Sequence, residues 1–540
     1  MFHTVGGQAG RVGVQLLTGA LLARLLSPAD FGWFAVIATL IGVVQIVVRS
    51  GTDTAAIQAA EFGDDRCTQL FWRLQGRSWF AAVSVVAVAS WFEGRGSSAM
   101  TRDAVAALRW ASLTVPIQAC FIVHRVRLSR RLEFGTIASA GVAGSLCSGI
   151  VAIAASAWLS GPAALVAGML AAAALEGVVI GCRHRWRPGP LRVFPWRRDG
   201  ARGPRDVSPG LPKGPNRKTA GLGQLTRAGR AMAGTSLLTF AGKNLDNQLV
   251  ACLLGPEAAG LYVKAFSILM LPWRQLRAPL LSVLRPTLSR ADDAAYADHA
   301  AVVVRRLAIG SMPIVGWLLM TAPLQVAVLL GPQWTDVVDI YRCLAPVAVL
   351  GCVSSALPIL TEMRQRPERL LRFQCVSTPI RLGCLAAALP LGLCPAAIVY
   401  SMVYVATWFF GLGYCGRGFG DLPRRMAMDV VPIAGLTLAF AWLAPTLTDA
   451  VVGRTVIATL IATGNPLGRL TSLVLETSFY VTFWVACFAV SNTLRRDVGQ
   501  LATAMFRRRS GCEAAGAESR NAEDAPDASP GRIPSRQAAA

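Results

Sequence analysis

Long apolar stretches alternate with short polar ones along most of the chain. Each stretch has about 18 to 24 residues, enough to cross the roughly 30 Å of bilayer hydrocarbon as a helix rising 1.5 Å per residue. Residues 451–470 are partly apolar and are an alternative fifteenth span. The pattern predicts about 14 transmembrane helices, over residues 4–26, 31–49, 70–92, 104–124, 136–159, 162–182, 229–250, 261–284, 302–322, 337–360, 372–391, 394–415, 428–445 and 473–492.

The polar segments divide the chain into five parts. Residues 1–182 and 229–415 are predicted to form two lobes of six helices each. Between them, residues 183–228 form a basic linker rich in Pro and Gly, a composition typical of mobile connections. Residues 416–494 contain two accessory spans, and residues 495–540 have too little apolar surface to fold, so they are predicted to be a disordered tail. The fold class predicted from this pattern is an all-α polytopic membrane protein.

A short repeat relates the two predicted lobes. The segment LARLLSPADFGWFA, from Leu22 to Ala35, returns 228 residues later as VACLLGPEAAGLYV. Pro28 and Gly32 recur in register as Pro256 and Gly260. Each copy joins the end of one apolar span to the start of the next. Duplicated halves of this kind are a common way to build transporters.

The charge of the chain fits a membrane protein better than a protein that binds nucleic acid. The chain has 53 Lys and Arg against 30 Asp and Glu, a formal charge of +23, yet 54% of its residues are hydrophobic. The arginines lie between the apolar spans and do not collect on one face, which argues against nucleic-acid binding. The 13 Cys form no CxxC pair and the four His are scattered, so we expect no metal site and no cofactor.

Basic residues concentrate in every second gap between the predicted spans. The even-numbered gaps, among them 125–131 and the linker, contain most of the arginines, whereas the odd-numbered gaps contain few. Lys and Arg accumulate on the cytoplasmic side of membrane proteins. Both termini and the linker are therefore predicted to be cytoplasmic.

Five sequence motifs carry a resemblance to a known family: RLLSPADFGWFAVIATLIGVVQ at 24–45, SGTDTAAIQ at 50–58, NLDNQLVACLLGPEAAGLYVKAFSILMLPWRQL at 244–276, LRPTLSR at 284–290 and GPQW at 331–334. Together they resemble the polysaccharide transport branch of the multidrug/oligosaccharidyl-lipid/polysaccharide (MOP) flippases. The resemblance implies two six-helix lobes around a central cavity in the bacterial inner membrane. It also implies transport without catalysis, in which an undecaprenyl-pyrophosphate-linked oligosaccharide moves to the outer leaflet. The short leader before the first span and the long linker depart from the family pattern.

Several basic residues fall inside predicted spans and are candidates for binding the pyrophosphate. A charge in hydrocarbon costs at least about 2.5 to 3.5 kcal/mol, so it normally faces a cavity or a partner. Arginine binds phosphate through two parallel hydrogen bonds. At the 228-residue offset Arg277 corresponds to Arg49, although Arg49 ends its span and could instead reach the membrane surface. The candidate cavity cations are Arg49, Lys243, Arg274, Arg277 and Arg381.

Acidic and amide side chains inside spans are candidates for coupling transport to an H⁺ or Na⁺ gradient. Asp246 lies between Asn244 and Asn247, and these oxygens could form part of an ion shell or a proton relay. Asp246 could also simply pair with Lys243 on the same helix face. Glu176 is a second candidate, for which a hydrogen-bonded contact between helices is the alternative.

Three other functions remain open at this point. A drug or organic-cation antiporter of the same superfamily would be expected to carry acidic rather than basic groups in its lobes. A membrane glycosyltransferase or polymerase would need a large outer loop, and the outer gaps here are short. A lipid II flippase would use the same cation-lined cavity. The expected partners are the lipid-linked oligosaccharide, membrane lipids and a polysaccharide polymerase or export complex.

Overall fold

A computed structural model gives the fold of the chain. It describes residues 2–58, 63–93, 99–131, 133–159, 161–183, 186–189, 222–271, 293–354, 367–416 and 421–448, together with scattered positions between 474 and 485. Every regular element within these ranges is helical. The predicted all-α class is confirmed, whereas the number of 14 spans stays a prediction.

The helices before the linker follow the apolar pattern closely. The second predicted span of the chain matches its helix to within three residues, but the predicted span 104–124 forms two helices that meet at Leu113. Pro116 has no N–H for the carbonyl of Ser112, four residues earlier, which explains the break. The helices are α1 Phe2–Leu25, α2 Pro28–Arg49, α3 Thr52–Gln58, α4 Asp64–Glu93, α5 Ala99–Ser112, α6 Thr114–Arg130, α7 Phe134–Ala155 and α8 Pro162–Arg183.

The helices after the linker include a second break of the same kind. The predicted span 337–360 is interrupted at Leu344, because Pro346 cannot donate to the carbonyl of Arg342. The first helix of this half begins at Leu222, inside the predicted linker. The helices are α9 Leu222–Leu254, α10 Pro256–Leu269, α11 Asp293–Met320, α12 Ala322–Gln325, α13 Val337–Cys343, α14 Ala345–Ser354, α15 Pro367–Ala388, α16 Leu393–Cys415 and α17 Leu422–Thr448.

Large apolar side chains cover the outside of the bundle. Trp158, Phe80 and Trp442 are 85%, 77% and 76% exposed, a surface that suits lipid rather than water. By length and composition, seven segments of the described residues can cross a membrane: Pro28–Arg49, Arg102–Arg130, Phe134–Ala155, Pro162–Arg183, Ala300–Met320, Leu393–Cys415 and Leu422–Leu443.

The chain packs as two compact units, Met1–Thr477 and Ser478–Ala540. In the first unit α7 packs on α8, α11 packs on α17, and α15 packs on α16. Its two repeated halves meet where α2 contacts α9 and α10. The domain boundaries drawn from the sequence stay predictions, and residues 451–470 and the tail 495–540 lie outside the described residues.

Both copies of the repeat form a sharp junction between two helices, each with a proline at the start of the second helix. In the first copy Ser27 caps α2, and its hydroxyl and Asp30 make reciprocal hydrogen bonds with the backbone. In the second copy Gly255 occupies the matching position with a φ of +92°, a conformation that residues other than glycine rarely adopt. The two junctions therefore differ in backbone conformation: Ser27 is extended, with a φ of -73°, and caps its helix by a side chain, whereas the positive φ at Gly255 favours a glycine.

The two junctions pack against each other reciprocally. A methyl group added to Gly32 would lie 1.7 Å from the Pro256 carbonyl oxygen, and one added to Gly260 would lie 1.8 Å from the Pro28 carbonyl oxygen. Because glycine has no side chain, the backbone of each proline can approach the glycine of the other copy closely. The two contacts are equivalent, as in an interface with two-fold symmetry. We call the contact of Pro28, Gly32, Pro256 and Gly260 the crossing. It holds the two halves together at the end where α1 joins α2.

Candidate functional site

Asp246 is a buried acid of the second half. It lies in α9 and is 4% exposed. Its carboxylate accepts a hydrogen bond of 3.3 Å from the hydroxyl of Tyr262 and one of 2.9 Å from the backbone N–H of Asn247. Arg381, on another helix, interacts with it electrostatically. A buried carboxylate held by a hydroxyl and a nearby cation can take up a proton or contribute oxygens to a bound cation.

Arg381 connects three helices around this acid. Its Nε donates to the carbonyl of Ser377 at 3.3 Å, and its guanidinium carbon lies 5.5 Å from the centre of the Tyr404 ring. The hydroxyl of Tyr404 is in turn 2.8 Å from that of Ser354. The half-buried Arg381 is thus held by its own helix and by an aromatic face. Its electrostatic interaction with Asp246 relates a predicted cavity cation to a predicted coupling residue.

The residues beside Asp246 in sequence are arranged differently from the predicted ion shell. Asn244 donates its amide to the carbonyl of Phe240, one turn earlier, at 2.8 Å. Asn247 contacts Asp246 through its backbone and not through its side chain. Lys243 is exposed. Tyr262, which the sequence analysis did not select, is therefore the side chain that completes this group.

A second charged group lies in the first half, where α2 ends. The guanidinium of Arg49 donates to the side-chain oxygen of Gln118 at 2.6 Å. Arg125 forms an ion pair of 3.3 Å with Glu176, and both act electrostatically on Arg49. Two residues predicted for different roles, Arg49 and Glu176, thus belong to one cluster. The side chains of the ion pair are 53% and 32% exposed, so the pair contributes little to stability.

Two predicted cations lie outside the described residues. These are Arg274 and Arg277, within residues 272–292. Their place relative to Asp246 and Arg381 stays a prediction.

Lys264, in α10, is a candidate that the sequence analysis missed. Its ammonium lies 3.3 Å from the carbonyl oxygen of Gly19 and 4.0 Å from the centre of the Phe31 ring. It is the single basic residue in the apolar helix Pro256–Leu269. Because a charge in hydrocarbon is costly, testing every Lys and Arg in the apolar spans for a cavity or a partner would have identified Lys264.

Comparison with a protein family gives a match over much of the chain. The family model described as "Polysaccharide biosynthesis protein" matches residues 21–197 and 214–339, more than half of the chain. The matched region includes both copies of the repeat, the crossing, Asp246 and Lys264.

Individual proteins show the same similarity. The lipopolysaccharide biosynthesis protein WzxC of Escherichia coli (strain K12) is 22% identical over 377 residues, which cover 68% of this chain and 70% of the relative. A structure of the lipid II flippase MurJ in an inward closed conformation matches with a TM-score of 0.63 at 11% identity, over 91% of this chain and 99% of MurJ. An inward-facing MATE multidrug transporter of the MOP superfamily matches with a TM-score of 0.57 at 15% identity, over 77% and 96% of the two chains. At these identities the structural matches show a shared fold.

Proposed function

Because this chain belongs to the family of polysaccharide biosynthesis proteins, we propose that it is a flippase for a lipid-linked oligosaccharide in polysaccharide synthesis. The family match over more than half of the chain is the observation that carries the proposal. The resemblance to the polysaccharide transport branch is confirmed, and the fold is that of MOP transporters. The WzxC relative acts in lipopolysaccharide biosynthesis by its name. The substrate that we propose is an undecaprenyl-pyrophosphate-linked repeat unit for exopolysaccharide, capsule or O-antigen synthesis.

The mechanism proposed for this movement is alternating access. In this proposal the crossing closes the path between the halves at one end of the bundle, and opening the path would require the two junctions to separate. The sugars would pass between the halves while the polyprenyl chain stays in lipid. Arg49, Lys243 and Arg381, together with Arg274 and Arg277, would neutralise the pyrophosphate. The family consists of transporters, and we propose that this chain performs no covalent chemistry.

Asp246 is the residue through which we propose coupling to an H⁺ or Na⁺ gradient. Its burial and its contact with Tyr262 support this role, since loading a buried carboxylate changes the charge beside Arg381. Asn244, Asn247 and Glu176 were selected from the sequence for the same role. Of these, Glu176 interacts with Arg125, and Asn247 reaches Asp246 by its backbone. Coupling through Asp246 requires no resident cofactor.

The location proposed for this polytopic membrane protein is the bacterial inner membrane. The concentration of arginines in alternate gaps supports an orientation with both termini in the cytoplasm. The crossing would then lie at the periplasmic end. A polymerase or export complex is the partner we propose on that side, and we propose no nucleic-acid partner.

The lipid that accumulates in a deletion strain tests the proposed function. Loss of the protein should cause lipid-linked glycan repeat units to build up on the cytoplasmic side, and the intact gene should reverse this. Lipid extraction followed by mass spectrometry identifies the intermediate. Accumulation of a peptidoglycan precursor would show instead a lipid II flippase, and an unchanged lipid profile with altered export of cationic dyes would show a drug antiporter.

A further inference from the structure

The carboxyl end of α1 is held by side chains from the second half. The indole N–H of Trp334 donates to the carbonyl of Ala23 at 2.8 Å. The amide of Gln333 donates to the same carbonyl and to that of Leu26 at 3.1 Å. The last carbonyls of a helix lack partners within the helix. The second half supplies those partners here, next to the crossing.

Lys264 is enclosed by this same contact. Its ammonium donates to Gly19 of α1 and lies over the ring of Phe31 of α2, both in the first half. The Trp334 ring, from its own half, is centred 5.6 Å away and packs edge-on against Phe31 at 5.4 Å. Within the described ranges, no carboxylate pairs with Lys264. A carbonyl and two aromatic faces are weaker compensation for a charge than an anion would be.

Separation of the two halves at the crossing would remove two of the three groups that cover this ammonium. Gly19 and Phe31 would leave with the first half, and only Trp334 would stay. A lysine exposed in this way between apolar helices would be an unpaired cation facing the space between the halves. Lysine is a common ligand of phosphate, to which it binds as a point charge.

We infer that Lys264 is a conditional binding residue for a phosphate or diphosphate group, covered by the first half while the crossing is closed and available when the crossing opens. The inference rests on the proposed function in taking the diphosphate of a lipid carrier as the natural ligand. Lys264 would then act as a further cation beside the crossing, in addition to proposed cavity cations such as Arg381 and Arg49.

The test measures binding of inorganic diphosphate to the full-length protein in lipid nanodiscs. Gly32→Ala should open the crossing, and this variant should bind diphosphate about tenfold more tightly than the parent protein. Adding Lys264→Gln should abolish the gain, whereas adding Lys264→Arg should keep most of it. A tenfold difference is what loss of one charge-assisted hydrogen bond produces. Gly260→Ala opens the same contact from the other side and replaces Gly32→Ala if that variant does not fold.

Two results would overturn the inference. The first is equal diphosphate affinity in the opened variant with and without Lys264→Gln. The second is equal affinity in the parent protein, Gly32→Ala and Gly260→Ala. The binding measurement uses no glycan, so it stands even if the deletion strain accumulates a different lipid. A response to diphosphate but not to orthophosphate would support a diphosphate group, and not a single phosphate, as the ligand of Lys264.

Discussion

A methyl group at the crossing should shift the protein away from the state in which the crossing is closed. In Gly32→Ala the new carbon would lie 1.7 Å from the Pro256 carbonyl oxygen, whereas ordinary contacts begin near 3.4 Å. The two helices would have to move apart by about 1.5 Å in a tightly packed interface. Overpacking of this kind typically costs about 1 to 3 kcal/mol.

That cost falls only on the closed state, because the two junctions no longer touch once the halves separate. With about 1.4 kcal/mol for each factor of ten, the ratio of open to closed molecules should rise roughly 5- to 150-fold. Gly260→Ala should have an effect of similar size, since its added carbon would lie 1.8 Å from the Pro28 oxygen. The reciprocal geometry makes the two variants independent tests of one contact.

Hydrogen exchange measured by mass spectrometry in nanodiscs reports this shift directly. Peptides covering residues 22–35 and 250–263 should exchange faster in both variants, and peptides from α7 and α8 should not change. Gly310→Ala is the matched control, because an added methyl group there meets nothing within 4 Å. Within a helix, alanine is more favourable than glycine by up to about 1 kcal/mol. The reasoning would be refuted if both crossing variants exchanged and melted like the control.

Three further predictions concern single residues. Trp334→Ala removes a fully buried side chain and its hydrogen bond to Ala23, so it should lower the free energy of unfolding by about 3 to 5 kcal/mol. Its melting temperature should be lower than that of the control Trp158→Ala, because the Trp158 side chain is 85% exposed. Gly255→Ala should cost about 1 to 3 kcal/mol, because a φ of +92° with a ψ of 172° is a backbone conformation that essentially only glycine adopts. An unchanged melting temperature would contradict that backbone conformation. Glu176→Gln should change the free energy of unfolding by less than about 1 kcal/mol, because the ion pair of Glu176 is partly exposed and such pairs contribute little. A larger loss of stability would mean that Glu176 is a structural contact. Normal glycan export by this variant would exclude Glu176 from coupling.

Local patterns in the sequence predicted the helical class, the course of most spans and the repeat. They failed where a proline broke a continuous apolar run, as at Pro116 and Pro346. Hydropathy averages over a window of residues and does not register the loss of one backbone N–H. A proline within a span does not by itself predict a break, because α11 contains Pro313 and α15 contains Pro379 without one.

The candidate site was predicted less completely than the fold. The cost of a charge in hydrocarbon selected Asp246, which is buried, and Arg381, which is half-buried and acts electrostatically on Asp246. The same cost selected Lys243, which is exposed. This criterion could not select Tyr262, because an uncharged tyrosine in an apolar helix carries no large free-energy cost of insertion. It also could not show that Asn244 binds its own helix, since one amide fits many partners.

The amino-acid sequence by itself determined that the protein belongs in a membrane, where its helices lie and that its halves are duplicated. These properties depend on hydropathy and on residues close together in the chain. Only the tertiary structure decided that Gly32 faces Pro256, that Gly260 faces Pro28, and that Lys264 is enclosed by Gly19 and Phe31. These partners are more than 200 residues apart in the chain. Which of many apolar faces meet is settled by the packing of whole helices, and no local pattern records that choice.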